Sequence, residues 1–154
     1  MKLGWRSMHK NYLSDEDFLY IYSRVPRLCV DVFLRTNDGV LFALRDEEPY
    51  KNEWNLPGGT VYREEKVEEA TVRIMKRETG LDVIPGKNIT ILQFPQESRA
   101  GTKMHTISIA MECHLADGAD ISALDSSKVA FFKEIPKTVV REHADLVEEL
   151  MRKK

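Results

Sequence analysis

From Glu65 to Thr79 the chain runs without a Gly or a Pro, and glycines bracket that run: Gly58-Gly59 after Pro57 ahead of it, Gly80 behind it. Val67, Ala70, Thr71, Ile74 and Met75 recur at helical spacing, so the segment reads as a helix with one apolar face. Gly80 stands at the left-handed position expected just past a helix end. Glu65, Glu69, Arg73 and Arg77 fall in an i,i+4 row, which brings Glu65 and Arg73 within reach of one side-chain network. Glu78, one turn beyond Ile74, is placed to face whatever rests on the Gly58-Gly59 loop. Two glycines let the backbone approach a ligand closely. One peptide carbonyl with one or two carboxylates is the usual protein share of a Mg²⁺ site, phosphates and waters completing the shell. Gly58, Gly59 and Glu78 are therefore the metal-ligand candidates, and the stretch Leu56 to Leu81 is the part around which the rest is arranged.

Counted from Gly59, this stretch resembles the Nudix box, G-x5-E-x7-R-E-U-x-E-E-x-G-U, where U is a bulky aliphatic residue. Gly59, Glu65, Arg73, Met75, Glu78, Gly80 and Leu81 fill seven of its nine specified positions without a gap. The resemblance implies an α/β/α sandwich of the α+β class with a mixed sheet. It implies hydrolysis of a nucleoside diphosphate linked to another group, dependent on Mg²⁺ or Mn²⁺. Two positions depart from the box: Ile74 replaces the Glu after the arginine, and Arg77 replaces the first Glu of the Glu-Glu pair. Two anions are lost and a cation is gained. What remains is a single Mg²⁺ held by Glu78, a Gly58 or Gly59 carbonyl and the substrate diphosphate, in place of a multi-metal site.

One branch of the family departs from the box at the same two positions, the GDP-mannose mannosyl hydrolases. Upstream, Leu13, Glu16, Asp17, Phe18, Pro26 and Asp31 are similar to that branch's leading helix and first strand. The branch attacks the sugar C1 carbon and expels the nucleotide diphosphate, chemistry for which neutralising the leaving group suffices. The branch puts uncharged residues at those two positions, a pattern that Ile74 fits and the charged Arg77 does not; this chain also has Thr60 after the glycine pair in place of Arg, and no His in Leu124–Lys128, where the branch keeps its general base.

With 154 residues, 42% hydrophobic and 31% charged, the chain is long enough for one globular domain spanning 1–154, with 1–24 as a helical extension. A net charge of −2 gives no electrostatic case for a nucleic-acid polymer as partner. Cys29 and Cys113 are too far apart for metal-ligand spacing and read as reduced core thiols. No run approaches the ~20 apolar residues of a membrane span, and MKLGWRSMHK lacks the apolar core of a secretory signal. The expected setting is cytoplasmic.

In chain order, residues 1–12 read as frayed or packed on a partner. Ser14 caps a helix running to Ser23, which the resemblance assigns to a homodimer interface. Arg27–Arg35 is a strand, Thr36-Asn37-Asp38-Gly39 a hairpin turn and Val40–Arg45 the return strand. Asp31 has two readings, a paired structural carboxylate or a substrate contact. Arg45 is a candidate phosphate clamp by virtue of its donor fork, or else a solvated strand end. Trp54 reads as core. Asp82–Ile84 is a short strand, Pro85-Gly86 a turn, Ile89–Phe94 a further strand, and Pro95–Lys103 a polar loop. Glu97 in that loop is the candidate water activator, against the alternative of a solvated loop Glu. His105, opening the next strand, is a second candidate base, against a satisfied strand-end His. Val129–Phe132 is the last strand, and Pro136 suits the start of a C-terminal helix with a Val140, Ala144, Val147, Leu150, Met151 stripe and the basic end Arg152-Lys153-Lys154.

The roles that follow are Glu78 with Gly58 or Gly59 for the metal, Arg73 and Arg45 stabilising phosphate or the ligand frame, Arg77 offsetting phosphate charge, Glu65 orienting Arg73, and Glu97, His105 or Asp31 as base. Attack on phosphorus is the alternative within this class. A nucleotide-binding domain without catalysis is the alternative outside it, motivated by Ile74 and Arg77.

Overall fold

A computed structural model describes residues 13–153; the readings of residues 1–12 and of Lys154 lie outside the described residues. The Ser14 hydroxyl accepts the Asp17 N–H at 3.1 Å and so starts α1, Asp15–Tyr22. β1, Arg27–Thr36, and β2, Gly39–Leu44, form the expected hairpin, Thr36 opposite Gly39. β3, Trp54–Asn55, and β4, Gly58–Thr60, lead into α2, Val67–Thr79, which Gly80 ends in the left-handed conformation. β5, Val83–Arg99, and β6, Thr102–Leu115, make a long hairpin; β7, Val129–Phe132, and α3, Arg141–Arg152, complete the chain.

The seven strands among the described residues form one mixed sheet in the order β3-β2-β1-β6-β5, with β4 on β1 and β7 on β2. β1 pairs β6 in parallel from Arg27↔Thr106 to Leu34↔Cys113. Its other edge changes partner. Cys29, Val30 and Asp31 pair Thr60, Gly59 and Gly58 of β4, whereas Arg35 and Thr36 pair β2.

β1 is buried on both faces, and its alternating residues go to opposite layers. Val30, Val32 and Leu34 join Met111 and Cys113 against Ala70, Ile74 and Met75 of α2. Phe33 joins Val40, Phe42 and Ala110 against Leu146 and Val147 of α3. This is the α/β/α sandwich, with helices on both faces of a mixed sheet.

Three expectations need correction. The segment 82–103 is not two short strands and a loop but one strand, β5, turning at Ala100-Gly101 into β6. Register shifts at Pro85/Asn88 and Phe94/Glu97 absorb the prolines, which cannot donate to the ladder. The C-terminal helix starts at Arg141, not near Pro136. The Trp54 N–H donates to the Thr138 carbonyl and the Val140 N–H to the Trp54 carbonyl, which holds that segment extended beside β3. Finally, α2 begins at Val67, so Glu65 precedes it, and Glu69 leaves the i,i+4 row to accept the Lys66 N–H at 2.8 Å.

Ile74 is fully buried under the sheet. Truncating it, Ile74→Ala, is expected to cost about 2–5 kcal/mol of stability, measured by chemical denaturation.

Candidate active site

Where β1 exchanges β4 for β2, a cleft of about 500 Å³ opens. The glycine pair forms one wall, the loop after β2 another, and β5, β6 and α1 supply the far end.

The two glycines are crowded to different degrees: a side chain at 58 meets a buried carboxylate and backbone, whereas one at 59 meets the movable end of Arg77. A Cβ on Gly58 would stand 2.2 Å from Asp31 Oδ1 and 3.0 Å from the Val30 carbonyl. A Cβ on Gly59 would stand 2.8 Å from Arg77 Nη2. The ladder also separates their carbonyls. The Val32 N–H bonds the Pro57 carbonyl and the Val61 N–H bonds the Leu28 carbonyl. Alternation then makes Val30 and Gly59 a hydrogen-bonded pair, which commits the Gly59 carbonyl to β1 and turns the Gly58 carbonyl away from it. Of the two carbonyl candidates, Gly58 is the one available to a ligand, and Gly59 is withdrawn.

Glu65 and Arg73 meet as a bidentate pair, Nε to Oε1 at 2.6 Å and Nη2 to Oε2 at 2.9 Å. Arg73 also donates to the Thr60 carbonyl at 2.8 Å and lies 3.7 Å from the Tyr62 ring centroid, while Glu65 accepts the Tyr62 N–H. Both side chains are nearly buried, and neither lines the cleft. Glu65 thus orients Arg73, as expected, and the pair clamps the loop between β4 and α2 from outside the cleft lining.

Glu78 and Arg77 do line the cleft. Arg77 folds over its neighbour, with Nε 3.1 Å and Nη2 2.9 Å from Glu78 Oε1. At the opposite wall Asp31 is buried beside Gly58. The Leu56 N–H donates to His143 Nδ1 at 3.1 Å, which requires that nitrogen's lone pair and leaves the proton on Nε2, 3.2 Å from Asp31 Oδ2. Burial opposes the Asp31 charge, but the facing His143 and the nearby Arg27 outweigh it and hold the carboxyl below its ordinary range.

Glu97 lies on a strand, not in a loop, and is buried. It accepts the Thr106 hydroxyl at 2.5 Å and sits 3.6 Å from Arg27 Nη2. Phe18 of α1 inserts between Arg27 and Arg99, their guanidinium carbons 5.4 and 4.9 Å from its ring centroid. Arg45 lines the cleft and spends its Nε on the Pro49 carbonyl. Tyr50 packs beside Phe94, its hydroxyl pushed up to about 12 chiefly by burial. His105 is absent from the cleft: it falls on the strand face opposite Thr106, which lines it.

Residues 25–150 match the family model described as the NUDIX domain. The chain belongs to the Nudix family. It is 34% identical over 114 residues to the low-salt glycan biosynthesis protein Agl8 of Haloferax volcanii, covering 74% of this chain and 60% of that protein, less than two thirds of its length. It is 32% identical over 137 residues to the ADP-ribose pyrophosphatase of Methanocaldococcus jannaschii, covering 87% and 76%. Among solved structures it resembles the MutT protein from Methanosarcina mazei Go1, TM-score 0.65 at 22% identity, over 84% of this chain and 96% of that one. It also resembles a bifunctional NMN adenylyltransferase/ADP ribose pyrophosphatase from Francisella tularensis, complexed with AMP and Mn ion, TM-score 0.63 at 19% identity, over 90% and 47%. No described helix is long and apolar enough to cross a membrane.

In this Nudix domain the helix brings one carboxylate, Glu78, to the cleft. Ile74 is core and Arg77 is cationic. Among the described residues no three His, Cys, Asp or Glu gather as a metal-holding group. The available donors, the Glu78 carboxylate and the Gly58 carbonyl, are hard oxygens. They fit an ion that keeps most of its shell on water and phosphate, as Mg²⁺ does, and do not fit a resident multi-metal cluster. Sequence reasoning missed Arg27, Tyr50 and His143. His143 carried a signal, being a polar residue on the apolar stripe between Val140 and Val147 of α3; Arg27 and Tyr50 carried none.

Gly58→Ala is expected to lower the melting temperature and abolish turnover, because its Cβ and the Asp31 carboxylate cannot both fit; thermal unfolding and an activity assay read this. Folding holds Asp31 below its ordinary value of 3.8, so its ionised form stabilises the fold above that pH, and this contribution is lost as pH falls from 3.8 through the lower folded value. Asp31→Asn is expected to flatten stability against pH across that acid limb, measured by denaturant titration at each pH.

Proposed function

We propose that this hydrolase cleaves a nucleoside diphosphate joined to a sugar, with Mg²⁺ or Mn²⁺ carried on the diphosphate. The observation that supports this best is the set of four arginines in the cleft lining, Arg27, Arg45, Arg77 and Arg99, which stand among five carboxylates, Asp31, Asp46, Glu47, Glu78 and Glu97, with Glu78 the one that α2 contributes. Guanidinium forks match phosphate oxygens, and Phe18, Tyr50 and Phe94 offer apolar faces to a base.

The ion, when bound, neutralises charge developing on the departing diphosphate. Glu78 and the Gly58 carbonyl would hold it. Arg45 and Arg77 bind the diphosphate. Asp31 and Glu97, both in the cleft lining, are the preferred activators of the attacking water over His105, which is not part of that lining. Arg73 and Glu65 act through the loop they fix. Attack at sugar C1, as on GDP-mannose, needs only leaving-group neutralisation, and a single acidic ligand supports it. Attack on phosphorus is the second reading, favoured by the name of the Methanocaldococcus relative. A domain that binds nucleotide without turnover is the third, favoured by the Arg77–Glu78 pair. A homodimer belongs to the same proposal: Tyr20 of α1 and Val25 beyond it are exposed while Phe18 faces inward, and sedimentation velocity tests it.

GDP-mannose and ADP-ribose, incubated in ¹⁸O-water with and without Mg²⁺, separate the readings. On GDP-mannose, whose diphosphate sits on the anomeric carbon, C1 attack yields unlabelled GDP and labelled free mannose; phosphorus attack, open to either substrate, puts the label in a phosphate. Glu78→Gln is expected to lower turnover on the order of 10²–10³-fold. Binding that survives chelator with no turnover of any nucleoside diphosphate derivative would replace the hydrolytic reading.

A further inference from the structure

Arg77 and Glu78 are neighbours on α2, so their side chains leave the helix about 100° apart. Arg77 nevertheless bends across Gly59 and places both Nε and Nη2 on one Glu78 oxygen, within the cleft. The Glu78 carboxylate, the one hard anionic donor that α2 gives the cleft, is thus covered by a cation belonging to the chain. The pair is partly exposed, which makes it cheap to open: exposed pairs contribute little to stability.

We propose that Arg77 is an exchangeable placeholder for the divalent ion, and that the cleft takes up metal and nucleoside diphosphate together, each in place of the Arg77–Glu78 contact. This rests on the diphosphate reading given above. A diphosphate offers the guanidinium a better partner, two oxygens in the plane of its fork. When Arg77 turns to the phosphate, Glu78 is released to an ion that the same phosphate already carries. Without the anion, an incoming ion must displace Arg77 from Glu78 and share the site with a cation. Metal affinity and diphosphate affinity are then coupled, and by linkage each raises the other by the same factor. The Arg substitution in the box, on this view, does not remove the metal site. It makes occupancy conditional on substrate.

The test reads metal binding, not turnover. Mn²⁺ is titrated into the protein alone and followed by the EPR signal of the free ion, for the unaltered chain, Arg77→Gln, Arg77→Lys and Glu78→Gln, with thermal melts recorded for each. Arg77→Gln is expected to bind Mn²⁺ at least tenfold more tightly than the unaltered chain. Arg77→Lys keeps the charge without the fork and is expected to fall between them. Adding Glu78→Gln to Arg77→Gln is expected to erase the gain. In the unaltered chain, GDP or ADP is expected to raise Mn²⁺ uptake at least fivefold above a nucleotide-only control, and to raise it less in Arg77→Gln. Equal Mn²⁺ affinity in the unaltered chain and in both Arg77 variants overturns the proposal, as does a nucleotide effect untouched by Arg77→Gln. Because no step requires hydrolysis, a chain that turns over neither test sugar nucleotide yet shows this pattern loses the substrate reading and keeps the linkage.

Discussion

Gly58 and Asp31 face each other across the β1–β4 ladder, and the carboxylate occupies the space where a side chain on residue 58 would begin. Much of the site follows from that contact. It seats Asp31 at the cleft wall, where His143 from α3 reaches it, and the Leu56 N–H fixes which nitrogen of that imidazole carries the proton. One strand, one turn and one helix from the other layer are therefore tied together at a single buried carboxylate. The same short ladder commits the Gly59 carbonyl and leaves that of Gly58. β4 begins at Gly58, opposite Asp31, and β1 continues past that point to its pairing with β2; the opening between the two partners is the cleft.

The loop from Thr60 to Lys66 needs its own restraint, because Glu64 takes a positive φ of 64° and α2 starts only at Val67. Arg73 supplies the restraint. Its fork binds Glu65, its Nη2 holds the Thr60 carbonyl, and its plane covers Tyr62. A buried pair of this kind adds little net stability over an apolar filling, but losing one partner leaves the other charge stranded. Its value lies in geometry, since Gly58 and Glu78 face the same space only when this loop is fixed. The arginine and the glutamate thus serve the chemistry at one remove.

Much of this was legible in the chain itself. The spacing of Val67, Ala70, Ile74 and Met75 with Gly80 behind them announces α2, because helical periodicity and a left-handed stop are local properties. Ser14 announces α1 for the same reason. β5 was not legible: Pro85, Gly86 and Pro95 signal turns, and only pairing with β6, with bulges to accommodate them, makes the segment one strand. Glu97 consequently read as a loop residue and stands buried between Thr106 and Arg27. Pro136 signalled a helix start, which the extended pairing of 138–140 with Trp54 postponed to Arg141.

The sequence by itself determined the family, the helix that carries the box, and the loss of two anionic positions at Ile74 and Arg77, since each depends on residue identity at fixed spacing along one segment. Only the tertiary structure decided which groups meet: that Glu78 reaches the cleft with Arg77 laid over it, that Arg73 and Glu65 turn away from it, that His105 lies off it, and that Arg27, Tyr50 and His143 belong to it. Those outcomes depend on where distant strands change partners and on which face of each element is left uncovered, and no local pattern encodes either.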